Sequence, residues 1–254
     1  MIGPTDRGLT LGDGLFETLL AVDGALQHAP EHLARMTAGC AVLGLPPPDP
    51  AAALGLMTFA LADAGLSGGR AAVRLTLTAG PGGRGLDRPP ALVPRLFATA
   101  APSPLPQAPA RLALSGVRRN EGSPASRLKS LAYLDNVLAR REALAAGADE
   151  AVMLNGAGVL ACAAAANLFW LREGRLYTPA LDCGALAGIA RARVMAAAAR
   201  RGIEVVETHE GPEALASAEG VFLTNSLTGA RPAGVLDGRI LPLESVAALA
   251  ARLG

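Results

Sequence analysis

Apolar residues along this chain recur at two spacings, every second position in some runs and every third or fourth in others, and these sketch its elements. Leu15–Val22 reads as a strand, Asp23-Gly24 as a hairpin turn and Ala25–His28 as the return. Pro30-Glu31 opens a helix to about Leu43, with Leu33, Met36 and Cys40 at helical spacing. The prolines from Pro46 to Pro50 end it. Ala51–Ala64 predicts a second helix, Ala71–Thr78 a half-buried strand through Val73, Leu75 and Leu77, and Arg95–Thr99 another strand. Ala101–Ala110 then holds four prolines, a semi-rigid stretch that marks a domain boundary.

Beyond it, Leu112–Val117 predicts a strand and Leu131–Ala146 a helix with apolar positions 131, 134, 138 and 144. Strands are expected at Ala151–Leu154, Asn167–Leu171, Leu176–Tyr177, Glu204–Glu207 and Gly220–Thr224, and helices at Ile189–Arg201, Pro212–Ser217 and Leu243–Arg252. Glu173-Gly174 and Asp237-Gly238 read as further hairpin turns. So many hairpins imply antiparallel pairing and an α+β protein. The expected division is a small domain over 1–104, a Pro-rich linker over 105–111, and a large domain over 112–254.

Composition narrows the partners. Half the residues are hydrophobic (51%), 18% are charged, and the net charge of +1 comes without a basic block. That excludes nucleic acid and an anionic membrane surface as main partners. The start has no charged-then-apolar leader pattern, and the weakly polar run from Gly156 to Trp170 is too short to span a bilayer. Three widely spaced cysteines suggest reduced thiols. His28 and His32 flank Pro30, which argues against one metal-binding helix face. A cytoplasmic protein is expected, with no metal.

One residue changes the picture. The chain has 22 Arg and a single Lys, at position 129. Arg serves ordinary surface roles as well as Lys does. Only Lys can deprotonate near neutral pH and form a Schiff base with a carbonyl. Two stretches could cradle an anion. Gly184 to Gly188 leads into the helix at Ile189, whose first amides would be free. Thr224-Asn-Ser226-Leu-Thr228-Gly229 follows a strand and offers hydroxyls and turn amides. A Schiff-base lysine with two phosphate cradles points to pyridoxal 5'-phosphate.

With these residues in place, the chain resembles the class IV aminotransferases, the fold type IV pyridoxal-phosphate enzymes with a D-amino-acid aminotransferase-like, two-domain fold. The resemblance runs in order through Arg7-Gly-Leu, Gly12-Asp-Gly14-Leu-Phe-Glu-Thr18, His32-Leu-Ala-Arg35, Arg127-Leu-Lys129-Ser, Ala166-Asn167-Leu-Phe-Trp170, Gly188-Ile-Ala-Arg191 and Thr224-Asn-Ser226. It implies that Lys129 carries the cofactor and moves protons. It also implies that Arg35, the amides of Ile189 and Ala190 after Gly188, and Ser226 hold the phosphate, and that Tyr133 lies near the cofactor's phenolate oxygen. Asn167 belongs to the cofactor-binding set. Thr18, Arg84 and Thr228 are the implied substrate residues.

Departures matter as much. Counting five back from Asn167, where relatives carry a Glu that keeps the pyridine nitrogen protonated, gives Cys162. A thiol is a weak donor, which leaves the cofactor a poorer electron sink. Ala190 replaces a frequent Thr, and Ala79 and Leu86 stand where lyases often have Arg and Tyr. The first expectation is a 4-amino-4-deoxychorismate lyase-like homodimer that releases pyruvate and forms 4-aminobenzoate, in folate biosynthesis. A D-amino-acid or R-selective amine transaminase is the alternative, and a catalytically silent pyridoxal-phosphate-binding protein the second.

Overall fold

The Asp23-Gly24 hairpin organises the first part of the chain. A computed structural model, which describes residues 2–82 and 85–253, places these two at positive φ, 48° and 79°. This is the left-handed pair that a two-residue hairpin between right-twisted strands requires. The turn joins β1 (Gly14–Val22) to β2 (Ala25–Leu26). Along its whole length β1 also pairs with β3 (Arg70–Thr78), which pairs with β4 (Arg95–Pro102), all antiparallel.

Register puts Leu15 opposite Leu77, Glu17 opposite Leu75, Leu19 opposite Val73 and Ala21 opposite Ala71. With a period of two, these eight share one face. Seven of them are apolar. The core on that face is completed by Leu33, Met36 and Cys40 from one helix and Met57 and Leu61 from another. Before β1, residues Arg7–Leu11 form one helical turn, α1. Asp6 accepts from Gly8 N at 2.8 Å and Gly12 closes the turn at φ 67°. One turn is too short to show a period in the sequence. The two core helices are α2 (Ala29–Leu43) and α3 (Pro50–Asp63). Pro30 lies in the first turn of α2 and His28 precedes it at φ 55°, so only His32 is on the helix.

The chain divides into two units. The first runs to Leu105 and takes back Leu128–Ala132; the second holds Pro106–Arg127 and everything from Tyr133 on. The expectation that the cofactor lysine sits in the large domain is thereby corrected. Phe16 N donates to Lys129 O at 2.9 Å, Leu131 N donates to Gly14 O at 3.0 Å, and Leu15 bridges Ser130. Backbone pairing with β1 thus stitches the lysine segment into the first unit, and Leu128 packs on its core. The segment 105–111 is not all linker either, because the next strand begins at Ala110.

In the second unit, β5 (Ala110–Leu114), β6 (Glu150–Leu154), β7 (Leu160–Ala163), β8 (Asn167–Arg172), β9 (Arg175–Pro179), β10 (Val205–Thr208), β11 (Gly220–Asn225) and β12 (Gly229–Leu236) form a mixed sheet. Its order is β10-β9-β8-β11-β12-β5-β6-β7, with β13 (Arg239–Ile240) on β12. Pairing is parallel at β10/β9, β12/β5 and β5/β6, and antiparallel elsewhere. β8 is central and buried on both faces, which is why it reads as a nearly continuous apolar run. Leu168 and Trp170 enter one core, and Phe169 stacks on Phe222 at 5.1 Å in another. Two turns came out as expected: Glu173-Gly174 and Asp237-Gly238 both have positive φ.

The helices of this unit are α4 (Pro124–Arg127), α5 (Leu134–Ala145), α6 (Ile189–Arg200), α7 (Glu213–Ala216) and α8 (Glu244–Leu253). The helix expected from Leu131 starts only at Leu134, because Lys129 to Leu131 are committed to β1. Its expected core face is also wrong. Leu134, Leu138 and Leu144 are exposed, and the buried positions are Asn136, Ala139 and Ala143. Asn136 decides the orientation: its amide donates to Ala164 O at 2.8 Å and its carbonyl accepts from Arg119 at 2.9 Å. No helix among the described residues is long and apolar enough to cross a membrane.

Candidate active site

Lys129 is half-buried on β1, and the backbone comes this close only because residue 14 is glycine. A Cβ there would lie 2.3 Å from Leu77 O and 2.8 Å from Leu131 Cδ1. The Lys129 Nζ stands 4.4 Å from the centroid of the Phe16 ring, with the Arg74 guanidinium 3.6 Å from the same centroid. Thr18 is two residues from Phe16 on the same strand face and pairs with Arg74 across the sheet. Burial, and then the Arg35 cation, bring the Lys129 ammonium down from 10.5 to about 8; Glu17 opposes and Arg74 adds to the fall. A substantial neutral fraction near neutral pH is what a nucleophilic amine needs.

On the opposite, apolar face of β1, Glu17 is 1% exposed between Leu15 and Leu19. Its Oε1 accepts from Arg35 Nε at 2.8 Å and its Oε2 from Arg35 Nη2 at 2.6 Å. Oε2 also lies 2.6 Å from His32 Nδ1. Burial alone would raise this carboxyl, but the hydrogen bonds from Arg35 and His32 outweigh it and hold it below its usual range. An ionised carboxylate only accepts, so His32 carries its proton on Nδ1. His32 Nε2, also buried, has no hydrogen-bond partner among the described residues. Sequence reasoning had Arg35 for the phosphate and left His32 open, but missed Glu17. The available signal was an acid on the apolar register of a strand.

In the second unit, α6 begins at Gly188 with no side-chain cap. The first intrahelical bond is Ala192 N to Gly188 O at 2.9 Å, so the amides of Ile189 and Ala190 have no partner within the helix. A Cβ at position 188 would lie 2.0 Å from Asn167 Oδ1. Asn167 also donates from Nδ2 to Leu186 O at 2.8 Å, so it shapes the approach to the helix. Ser226 follows β11 in a turn where Asn225 Oδ1 accepts from Leu227 N at 3.0 Å and Thr228 N at 2.9 Å. The Thr228 hydroxyl donates to the same oxygen at 3.0 Å, a bond internal to the turn. Thr224 Oγ1 is buried with no partner among the described residues. Tyr133 is the residue before α5, half-buried. Arg84 lies outside the described residues.

Cys162 is buried in β7, opposite Met153. Burial pushes its thiol up to about 11, with Glu150 reinforcing and Arg119 opposing. It is therefore a protonated thiol at neutral pH. Elsewhere Asp182, Cys183 and His209 bring three possible metal-ligand atoms within 4.8 Å of one another. There His209 Nε2 pairs with Asp182 Oδ1 at 2.7 Å, and burial first, then Asp182, keep the Cys183 thiol protonated.

A model of the amino-transferase class IV family matches residues 14–235. The chain belongs to the class IV aminotransferase family. It is 33% identical to a Methanocaldococcus jannaschii protein provisionally named a branched-chain-amino-acid aminotransferase, over 98% of this chain and 87% of that one. It is 31% identical to the aminodeoxychorismate lyase of Bacillus subtilis, over 89% and 78%. Among solved structures, a Legionella pneumophila protein provisionally named 4-amino-4-deoxychorismate lyase superposes with a TM-score of 0.89 at 30% identity, covering 98% of this chain and 92% of that one. As a class IV aminotransferase the chain is a pyridoxal-phosphate-dependent enzyme of the fold type IV class. Its residues fit that cofactor: a desolvated amine of pKa about 8, an uncapped helix start where Gly188 leaves no room for a side chain, and the orphaned Thr224 hydroxyl.

Proposed function

We propose that this enzyme is a 4-amino-4-deoxychorismate lyase-like enzyme, forming pyruvate and 4-aminobenzoate. Bound pyridoxal phosphate supplies an electron sink for bonds at the carbon bearing the substrate amine. Lys129 would hold the cofactor and take the proton from that carbon. Enolpyruvate would leave with the electron pair of its carbon–oxygen bond and take up that proton to become pyruvate, leaving the aromatic ring. Arg35, the Ile189 and Ala190 amides and Ser226 hold the phosphate, while Gly188 and Asn167 shape the helix start. Tyr133 donates to the cofactor's phenolate oxygen. Thr18, Arg84 and Thr228 orient the substrate.

Cys162 carries the choice. A buried, protonated thiol replaces the carboxylate that keeps the pyridine nitrogen charged in relatives. Amino transfer must stabilise charge through two proton transfers, whereas elimination discharges it after one. The test feeds aminodeoxychorismate, or an amino donor with a keto acid, to cofactor-loaded protein. Pyruvate and 4-aminobenzoate in equal amounts support the lyase. Keto-acid-dependent cycling of the cofactor to its amine form, with no pyruvate released, overturns it in favour of a transaminase, the reading that the 33% identical relative's name favours. Failure of both reactions, with borohydride still fixing cofactor on Lys129, would leave the silent binder.

The working form proposed is a homodimer. The exposed Leu134, Val137, Leu138 and Leu144 of α5 give it apolar surface to cover, and light scattering on the purified protein reads the mass directly.

A further inference from the structure

We propose that Glu17 is a positioning residue. Its carboxylate, buried on the apolar face of β1 and gripped by Arg35 and His32 of α2, fixes the Arg35 guanidinium and with it the balance of charge acting on Lys129. This goes beyond the proposed function and rests on it only for the cofactor's contacts with Lys129 and Arg35.

Position makes the case first. Glu17 stands directly across from Leu75, with Leu15 and Leu19 on either side along the strand, and is 1% exposed. Every hydrophobic neighbour disfavours a charge there, so a carboxylate at this register needs its partners built in. It has them on the helix above. His32 and Arg35 are one turn apart on α2, hence on one face. The two carboxylate oxygens meet Arg35 through Nε and Nη2 in a fork, at 2.8 Å and 2.6 Å. Such a fork fixes the plane of the guanidinium as well as its charge. His32 Nδ1, at 2.6 Å, holds the carboxylate from a third direction, which fixes its rotation.

Electrostatics gives the consequence. Among the described residues, Arg35 on α2, Arg74 on β3 and Glu17 on β1 are charged groups that act on the Lys129 amine, with the Phe16 ring against it. The two arginines disfavour the ammonium, and Glu17 alone among these groups favours it. Arg35 is useful to a phosphate only while its charge is present, yet that charge suppresses the basicity of Lys129. Glu17 resolves the conflict, since it orients the cation and offsets its field at the amine.

Because Lys129 is the only lysine, its titration can be read in cofactor-free protein. The pH dependence of acylation by acetic anhydride, followed by peptide mass, separates it from the α-amino group. Wild type should show a midpoint of about 8. Glu17→Gln keeps the shape and removes the charge, and its midpoint should fall by about one pH unit, tenfold in the dissociation constant. Arg35→Gln should raise it, and the double variant should return towards wild type. In the holoprotein, Glu17→Gln should also weaken cofactor binding, read as the pyridoxal phosphate needed for half-saturation of its absorption.

A Glu17→Gln midpoint unchanged or raised, with circular dichroism and melting temperature intact, overturns the proposal. If Glu17→Gln does not fold, Arg35→Gln decides alone, and a midpoint that fails to rise overturns it equally. Loss of borohydride labelling at Lys129 in wild type would instead strike the cofactor reading, and would leave this titration standing.

Discussion

Around Lys129 the preparation for chemistry is made with charge. Arg35, Arg74 and Glu17 act on one amine, and the Glu17 carboxylate, which anchors Arg35, is buried on an apolar strand face. At the start of α6 it is made with backbone. The helix has no side-chain cap, the residue before it is a glycine wedged against Asn167, and the alanine at 190 adds no hydroxyl. In β7 the buried Cys162 holds a protonated thiol and no charge. One region can therefore be retuned by changing a charge without changing shape. The other can be broken only by changing shape.

The largest effect follows from removing the amine. Lys129→Arg retains a cation but cannot form the Schiff base, so turnover should fall by about 10²–10⁴-fold or more. Borohydride should then fix no cofactor to the chain. Residual turnover near that of wild type would remove Lys129 from the chemistry and dissolve the contrast.

Shape comes next. In Gly188→Ala the new methyl meets Asn167 Oδ1 at 2.0 Å, and the strain should cost about 1–3 kcal/mol. Expressed at the helix start, that is about 5- to 150-fold in cofactor affinity, measured by titrating pyridoxal phosphate into the apoprotein. The apoprotein's Lys129 midpoint should not move, because that amine is tuned by other residues. A matching shift in both would show that the two regions are not separable as described.

Cys162→Glu places a carboxylate where β7 has none, near the Arg119 cation that already acts on this position. Amino transfer to a keto acid from D-alanine should rise by up to about 10- to 150-fold, because one charge-assisted hydrogen bond to the pyridine nitrogen is worth about 1.5–3 kcal/mol. Half-reaction rates that stay flat or fall would mean that Cys162 only fills space.

The sequence shows these regions unequally, for physical reasons. Lys129 stood out because it has no duplicate. The helix start at Ile189 was visible because glycine before an apolar run is local chemistry. Glu17 was not visible: one polar residue in a strand gains meaning only when α2 lays His32 and Arg35 over it. The face of α5 was misread for a related cause. Asn136, bonded to Ala164 and Arg119, turns the leucines outward, and both partners are distant in the chain. β12 went unread because Gly229, Pro232 and Gly234 break its alternation; pairing with β11 and β5 makes it a strand. Among the described elements, α2 and β3 were legible because each carries its own apolar stripe, α3 because Pro50 opens a nearly unbroken apolar run, and β1 because the Asp23-Gly24 turn ends it.

The smallest effect separates the regions by the sign of a pH dependence. Folding lowers the Lys129 ammonium from 10.5 to about 8. Between those values the unfolded chain holds the proton and the folded chain does not, so this group makes apoprotein stability rise with pH there. Below pH 8 both states are protonated and its penalty on the folded state is complete. Folding raises the Cys162 thiol from 9.0 to about 11. Between those values the folded chain holds the proton, so this group makes stability fall as pH rises. From about pH 8 to 9 the lysine contributes a gain of about 1 kcal/mol that urea midpoints can resolve. Lys129→Met should remove that gain, and Cys162→Ala should leave it while lessening the fall above pH 9, which the Cys40 and Cys183 thiols, also raised by burial, share. If both variants kept the wild-type curve, neither burial would be setting a proton affinity, and the charge-built region would have no more influence on stability than the one built from backbone.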